Sequence, residues 1–254
     1  MAQFASDGVT IAYDDSGKRP SGRTVVMVHG FTSNRYESWR RVGWYDALER
    51  KGIRGVALDC RGHGESGKPH DPAAYGRAAM VRDIVALMDH LGLAQVDLMG
   101  YSMGARLALA TALEHPKRID NLVLGGVGGR LLEPSPNDGR MAAAMEADDP
   151  ASIEDPLLRS FRHFADEQRE DRLALAACSR GAGAPVDQAA LAGLRMPVLV
   201  VVGARDGLAG SPDGLTAVIP GARSVVLPGC DHFSAIPHAL FKAAVFDFLE
   251  GYLE

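Results

Sequence analysis

The chain is poor in cysteine: only Cys60, Cys178 and Cys230 occur in 254 residues, odd in number and far apart. With no C-x-x-C pair, neither a disulfide framework nor a zinc site is expected, and the three are read as buried, reduced thiols. Positive charge is also short. Lys and Arg number 27 against 32 Asp and Glu, a net charge of -5, with no basic run. This excludes the electrostatic footprint of a nucleic-acid binder. No stretch approaches the ~18 apolar residues of a membrane span, and the opening MAQFASDGVTIAYDDSG has no apolar core of signal-peptide length. The expectation is a cytoplasmic protein with no membrane partner. Internal repeats, low-complexity tracts and a GK[ST] phosphate loop are absent from the sequence.

What is there suits one α/β domain with a sizeable core: 254 residues, 46% hydrophobic and 23% charged. The chain is organised around 95–111, QVDLMGYSMGARLALAT. Val96, Leu98 and Met99 form a strand-like run, and the apolar residues after Met103 suit a helix. Between them, Gly100-Tyr101-Ser102-Met103-Gly104 requires a turn so tight that a Cβ two residues either side of the serine would strike backbone. Ser102 then stands at the strand's C-terminal end, where a helix N-terminus offers unpaired N–H groups to an anion.

In chain order, Val9 to Tyr13 alternate weakly and precede the turn-rich DDSGKRPSG, which predicts an antiparallel edge hairpin. Val25 to Val28 read as a strand buried on both faces, ending in His29-Gly30-Phe31. Residues 37–51 predict a helix closing at Gly52. Gly55 to Leu58 form the next buried strand and run into DCRGHGES (59–66); residues 75–91 are helical in period. A strand at Leu122 to Leu124 follows the Ser102 helix. From Arg130 to about Pro185 the pattern changes to amphipathic helical pieces around Leu157, Phe161 and Phe164 and around Leu173 and Leu175, predicting a small helical cap over the main sheet (130–185). Strands return at 197–203 and 224–227, and a helix over 237–253 closes the chain. Strands alternating with helices predict a mostly parallel, doubly wound sheet with right-handed crossovers.

Such sheets carry their chemistry outside the carboxyl ends of the strands, where His29, Asp59 to Ser66, Ser102, Asp206 and His232 all fall. A serine hydroxyl needs a base to become nucleophilic, and His232 follows a late strand, free to reach Ser102. The base needs an orienting carboxylate. Asp206 follows the preceding strand, in a glycine-flanked loop; Asp231, beside His232, is the competitor, but neighbours at an extended strand end point in opposite directions. An oxyanion would be met by the backbone N–H groups of Met103 and Phe31.

Ser…Asp…His in this order, with Gly-Tyr-Ser-Met-Gly, HGF after the first parallel strand and DCRGHGES after the next, resembles the α/β-hydrolase family along nearly the whole chain. The resemblance implies acyl transfer through an acyl-enzyme, without metal or cofactor, on a small-molecule ester of small or medium acyl length. It also admits carbon–carbon bond or enol-lactone hydrolysis by the same triad, and a non-catalytic ligand receptor. Haloalkane dehalogenases and epoxide hydrolases carry an aspartate nucleophile, which Ser102 disfavours. His29 and His63 are read as loop-shaping hydrogen-bonders, and Gly30, Gly100 and Gly104 as structural turn residues. Arg159, Arg162 and His163 are taken as a solvated helix face.

Overall fold

The computed structural model describes residues 2–133, 138–181 and 186–253. Its centre follows from four apolar segments. Strands β3 (Thr24–Val28), β4 (Arg54–Leu58), β5 (Val96–Tyr101) and β7 (Val198–Gly203) are buried at every residue. Strands with no polar face must be covered on both sides, which places them inside a sheet. Around them lie β1 (Ala2–Ser6), β2 (Val9–Asp15), β6 (Ile119–Gly125) and β8 (Arg223–Leu227). The order across the sheet is β1-β2-β4-β3-β5-β6-β7-β8, antiparallel at β1/β2 and β2/β4 and parallel throughout the rest. On β8 only Leu227 is buried, as suits an edge.

Alternation of side chains along each strand feeds two cores. Val26 and Val28 of β3 join one face with Ile84, Leu87 and Met88 of α2 (Arg77–His90) and Leu107 and Ala108 of α3 (Met103–Glu114). Val25 and Met27 join the other with Trp44 of α1 (Trp44–Arg50) and Phe241 of α9 (Ala239–Leu249). There Trp44 meets Trp39 and Phe241 edge-on, at 6.0 and 5.4 Å between ring centroids.

Between β6 and β7 the chain leaves the sheet for α4 (Arg140–Glu146), α5 (Pro156–Glu167), α6 (Arg172–Gly181) and α7 (Gln188–Leu191), before α8 (Asp213–Val218) follows β7. Met145, Phe161, Ala165 and Leu175 form a small separate core, against which Phe31 packs. Asp155 starts α5: its carboxylate accepts from the N–H groups of Leu157 and Leu158, and Pro156 occupies the first turn, an arrangement that contributes about 1 kcal/mol. Pro185, at the predicted end of this segment, lies outside the described residues.

Local expectations need correction at four places. The hairpin turns at Asp7-Gly8, whose φ of 46° and 76° fit the primed turn that matches strand twist. Strand β2 is therefore interior; Asp14 and Asp15 of DDSGKRPSG still belong to it, and the remaining SGKRPSG leads to β3 with β4 lying between the two strands. The helix predicted over 37–51 is a π-helical turn, Tyr36–Arg40, and then α1, because Gly43 at φ 76° breaks it. The helix over 75–91 begins only at Arg77, after a 3-10 turn Pro72–Tyr75 and an extended Gly76. The closing helix runs Ala239–Leu249 rather than 237–253. Among the described residues, no helix is long and apolar enough to cross a membrane.

Candidate active site

Ser102 is the whole connection between β5 and α3. Its backbone sits at φ 54°, ψ -113°, a region that a side chain adopts only under strain on the order of 1–3 kcal/mol. A Cβ on Gly100 would lie 2.1 Å from the Gly104 carbonyl oxygen, and one on Gly104 would lie 2.1 Å from that of Val28. Both positions are closed to any side chain. The Ser102 N–H donates to Gly125 O at 2.8 Å, fixing the turn to β6.

His232 Nε2 lies 2.9 Å from Ser102 Oγ, and His232 Nδ1 lies 2.8 Å from Asp206 Oδ2. The other Asp206 oxygen accepts from the N–H groups of Leu208 and Ala209 at 3.0 and 2.9 Å, so the carboxylate is held from both ends. An ionised Asp206 places the ring proton on Nδ1 and leaves Nε2 free to accept from the serine. The Tyr101 hydroxyl donates to His232 O at 2.6 Å, tying the histidine loop to the end of β5. Asp231 is engaged elsewhere: its Oδ1 accepts from the N–H of Phe233, the N–H of Ser234 and the Ser234 hydroxyl. The Ser234 hydroxyl, above all, holds its carboxyl below the usual range.

Gly30 brings the loop after β3 against the serine, since a Cβ there would touch Ser102 Cβ at 3.4 Å. Among the described residues, the N–H groups of its neighbour Phe31 and of Met103, at the start of α3, donate to no carbonyl in a turn or cap. His29 shapes that loop. Its Nδ1–H donates to Gly30 O at 2.8 Å, and its Nε2 accepts from the Cys60 N–H at 3.0 Å. Burial pushes His29 down to about 4 and His63 down to about 3, so both rings are neutral at ordinary pH. The loop 59–66 is built on fully buried Asp59, which accepts from the Arg35 and Glu65 N–H groups at 2.7 and 2.8 Å and pairs with the Arg35 guanidinium. Among the described residues, no three His, Cys, Asp or Glu side chains gather as a metal-ligand set.

The family model described as alpha/beta hydrolase fold matches residues 23–171, more than half of the chain. The chain belongs to the alpha/beta hydrolase family. Along 97% of its length it is 31% identical to the 2-hydroxymuconate semialdehyde hydrolase of Pseudomonas sp. (strain CF600), covering 93% of that relative. A shorter match, 40% over 119 residues, is to a putative 2-succinyl-6-hydroxy-2,4-cyclohexadiene-1-carboxylate synthase of Bacillus subtilis (strain 168); it spans 47% of this chain and only 41% of that relative. Among solved structures, the enol-lactonase from Burkholderia xenovorans LB400 superposes with a TM-score of 0.82 at 26% identity, over 98% of this chain and all of that one.

In this alpha/beta hydrolase a cleft of about 290 Å³ opens on Ser102 and His232, walled by Phe31, Phe161, Phe164 and Phe233. Leu157 lies apart from it, exposed on α5. The solvated-face reading fails for Arg162. Only 3% exposed, it donates to Ala144 O and Ala147 O and pairs with Asp166, tying α5 to the end of α4. Arg159 donates to Ile153 O beside its own helix, while His163 stays exposed at the cleft rim. Glu170 has no counterpart in the sequence reading. Just beyond α5, its carboxylate accepts from Asn34 Nδ2 at 3.0 Å and from the Gly64 N–H at 2.8 Å, joining the helical segment to the loops after β3 and β4. Burial pushes its pKa up.

Proposed function

We propose that this protein is a serine hydrolase of small to medium carboxylic esters, with Ser102 as nucleophile, His232 as base and Asp206 as its orienting carboxylate. The observation that carries this reading is the hydrogen-bonded series Ser102–His232–Asp206, with steps of 2.9 and 2.8 Å. Ser102 Oγ adds to the ester carbonyl while His232 Nε2 takes its proton, and the new oxyanion is met by the N–H groups of Phe31 and Met103. The carbonyl–oxygen bond of the alcohol then breaks as His232 returns the proton to it. Water, deprotonated by the same ring, releases the acid and restores the serine. The helices between β6 and β7 act as a cap that selects substrate, through Phe161 and Phe164 on the cleft wall.

A second reading, hydrolysis of a carbon–carbon bond or an enol-lactone by the same residues, is favoured by the full-length likeness to the 2-hydroxymuconate semialdehyde hydrolase and by the enol-lactonase superposition. A third, a ligand receptor without turnover, is disfavoured by the assembled relay. A fluorophosphonate probe and a graded series of p-nitrophenyl esters test the proposal. Ser102 is labelled, labelling is lost in His232→Ala, and ester turnover is lost in Ser102→Ala. Labelling at another residue, or turnover indifferent to Ser102, overturns the assignment.

A further inference from the structure

The cleft of about 290 Å³ is roughly twice the ~150 Å³ cavity that holds a benzene ring, so an acyl group and a leaving group of about one ring each fill it. One wall is aromatic. Phe161 of α5 meets Phe233 edge-on at 5.4 Å, Phe164 lies at 6.5 Å from the same ring, and Phe233 stands edge-on to His232 at 5.7 Å. Phe233 is nevertheless 44% exposed, so part of a large apolar ring beside the base remains uncovered along the cleft. The charged groups of the rim are spent on one another: Arg41 pairs with Glu37 one turn away, and His163 lies 3.2 Å from Glu167. Among the described residues, no cation without an acidic partner lines the cleft.

Resting on the serine-hydrolase reading, we infer that the substrate is an uncharged ester with an aryl-bearing acyl group seated on Phe233, Phe161 and Phe164, and that Phe233 sets this preference. A ring in that place gains edge-to-face partners beyond the area it buries. A carboxylate there loses its water among phenyl rings and finds no free cation, so anionic acyl groups are turned away.

The test compares p-nitrophenyl phenylacetate, p-nitrophenyl butanoate and the mono-p-nitrophenyl ester of glutaric acid. The phenylacetate has the highest kcat/KM and the glutarate the lowest, by at least about tenfold. In Phe233→Ala the ratio of phenylacetate to butanoate falls roughly tenfold; Phe233→Leu gives the same direction should the alanine variant fail to fold. Glutarate turned over as well as phenylacetate, or equal losses on both neutral esters in the variant, overturns the inference. Calorimetric binding to Ser102→Ala separates this outcome from a failure of the hydrolase reading. Methyl phenylacetate binding more tightly than monomethyl glutarate supports the subsite even when no ester is turned over. The reverse order sinks it even when Ser102-dependent turnover is plain.

Discussion

Two carboxylates compete for one ring at the scale of single residues, and the geometry separates them. Asp206 presents one oxygen to His232 and the other to two backbone amides, whereas Asp231 spends its accepting oxygen on a turn with Phe233 and Ser234. Asp206→Asn is expected to lower kcat by about 10⁴, the magnitude known for the protease triad, by favouring the wrong tautomer. Asp231→Asn costs about tenfold at most, through its nearby charge. Measured kcat, with circular dichroism to confirm folding, decides; a larger loss at Asp231 reverses the roles. Neutral burial of His29 and His63 sets a second expectation. The unfolded chain protonates both below about 6.5, while the folded chain resists to about 4 and about 3, so this stability is complete at neutral pH and drains as pH falls. Each ring contributes a slope of at most about 1.4 kcal/mol per pH unit. Asp59 and Glu170, pushed up by burial, act in the opposite sense, so the comparison with His63→Asn carries the test. Urea unfolding between about pH 7 and 5 should show a shallower decline in the variant; parallel curves sink the idea. Ser102 and Asp206 could be singled out because each lies within three residues of the end of a fully buried strand, and His232 because it follows the last strand of the chain. Glu170 could not: it lies in the polar stretch EQRED, and its partner Gly64 is 106 positions away.

Among elements, the doubly wound sheet was legible because a strand covered on both faces has to be apolar without interruption, as at Val25 to Val28 and Val198 to Val202. What escaped were features set by partners or by single glycines. Apolar spacing continues across Gly43, so a helix and a π-helical turn read as one element. The second partner of β2, beyond the hairpin with β1, is β4, some 40 residues on, and nothing in either strand announces it. Helix α8 is six residues long, too short for its period to register. The turn at Ser102 gives the prediction for this scale. Gly104→Ala sets a methyl against the Val28 carbonyl, backbone that cannot swing aside, so α3 must move off β3. The expected cost is at or above the roughly 1–3 kcal/mol of ordinary overpacking. Gly76→Ala, where the added carbon meets nothing within 4 Å, stays within about 0.5 kcal/mol. Equal midpoints in thermal melts of the two variants would remove the argument for close approach.

For the molecule as a whole, the helical segment is joined to the sheet by the burial of Ala177 and Cys178 of α6 and Leu191 of α7 in the main core, and by a polar tie at Glu170. Glu170 accepts from Asn34 and Gly64, and His70 lies 3.0 Å from Asp171 at its side. Glu170→Ala leaves two donors without their partner, for a loss on the order of 1–3 kcal/mol. Hydrogen exchange should quicken in α5 and α6 well before α2; uniform acceleration would mean that Glu170 is ordinary core support rather than a tie between the parts. The backbone of Ser102 has a different bearing on the entire fold. Its φ of 54° is a conformation that glycine adopts freely, so Ser102→Gly returns stability to the molecule while removing its hydroxyl. A library sorted by heat resistance alone therefore enriches that substitution, and one sorted by turnover purges it. In a lineage released from the need for turnover, position 102 is where drift should first leave its mark.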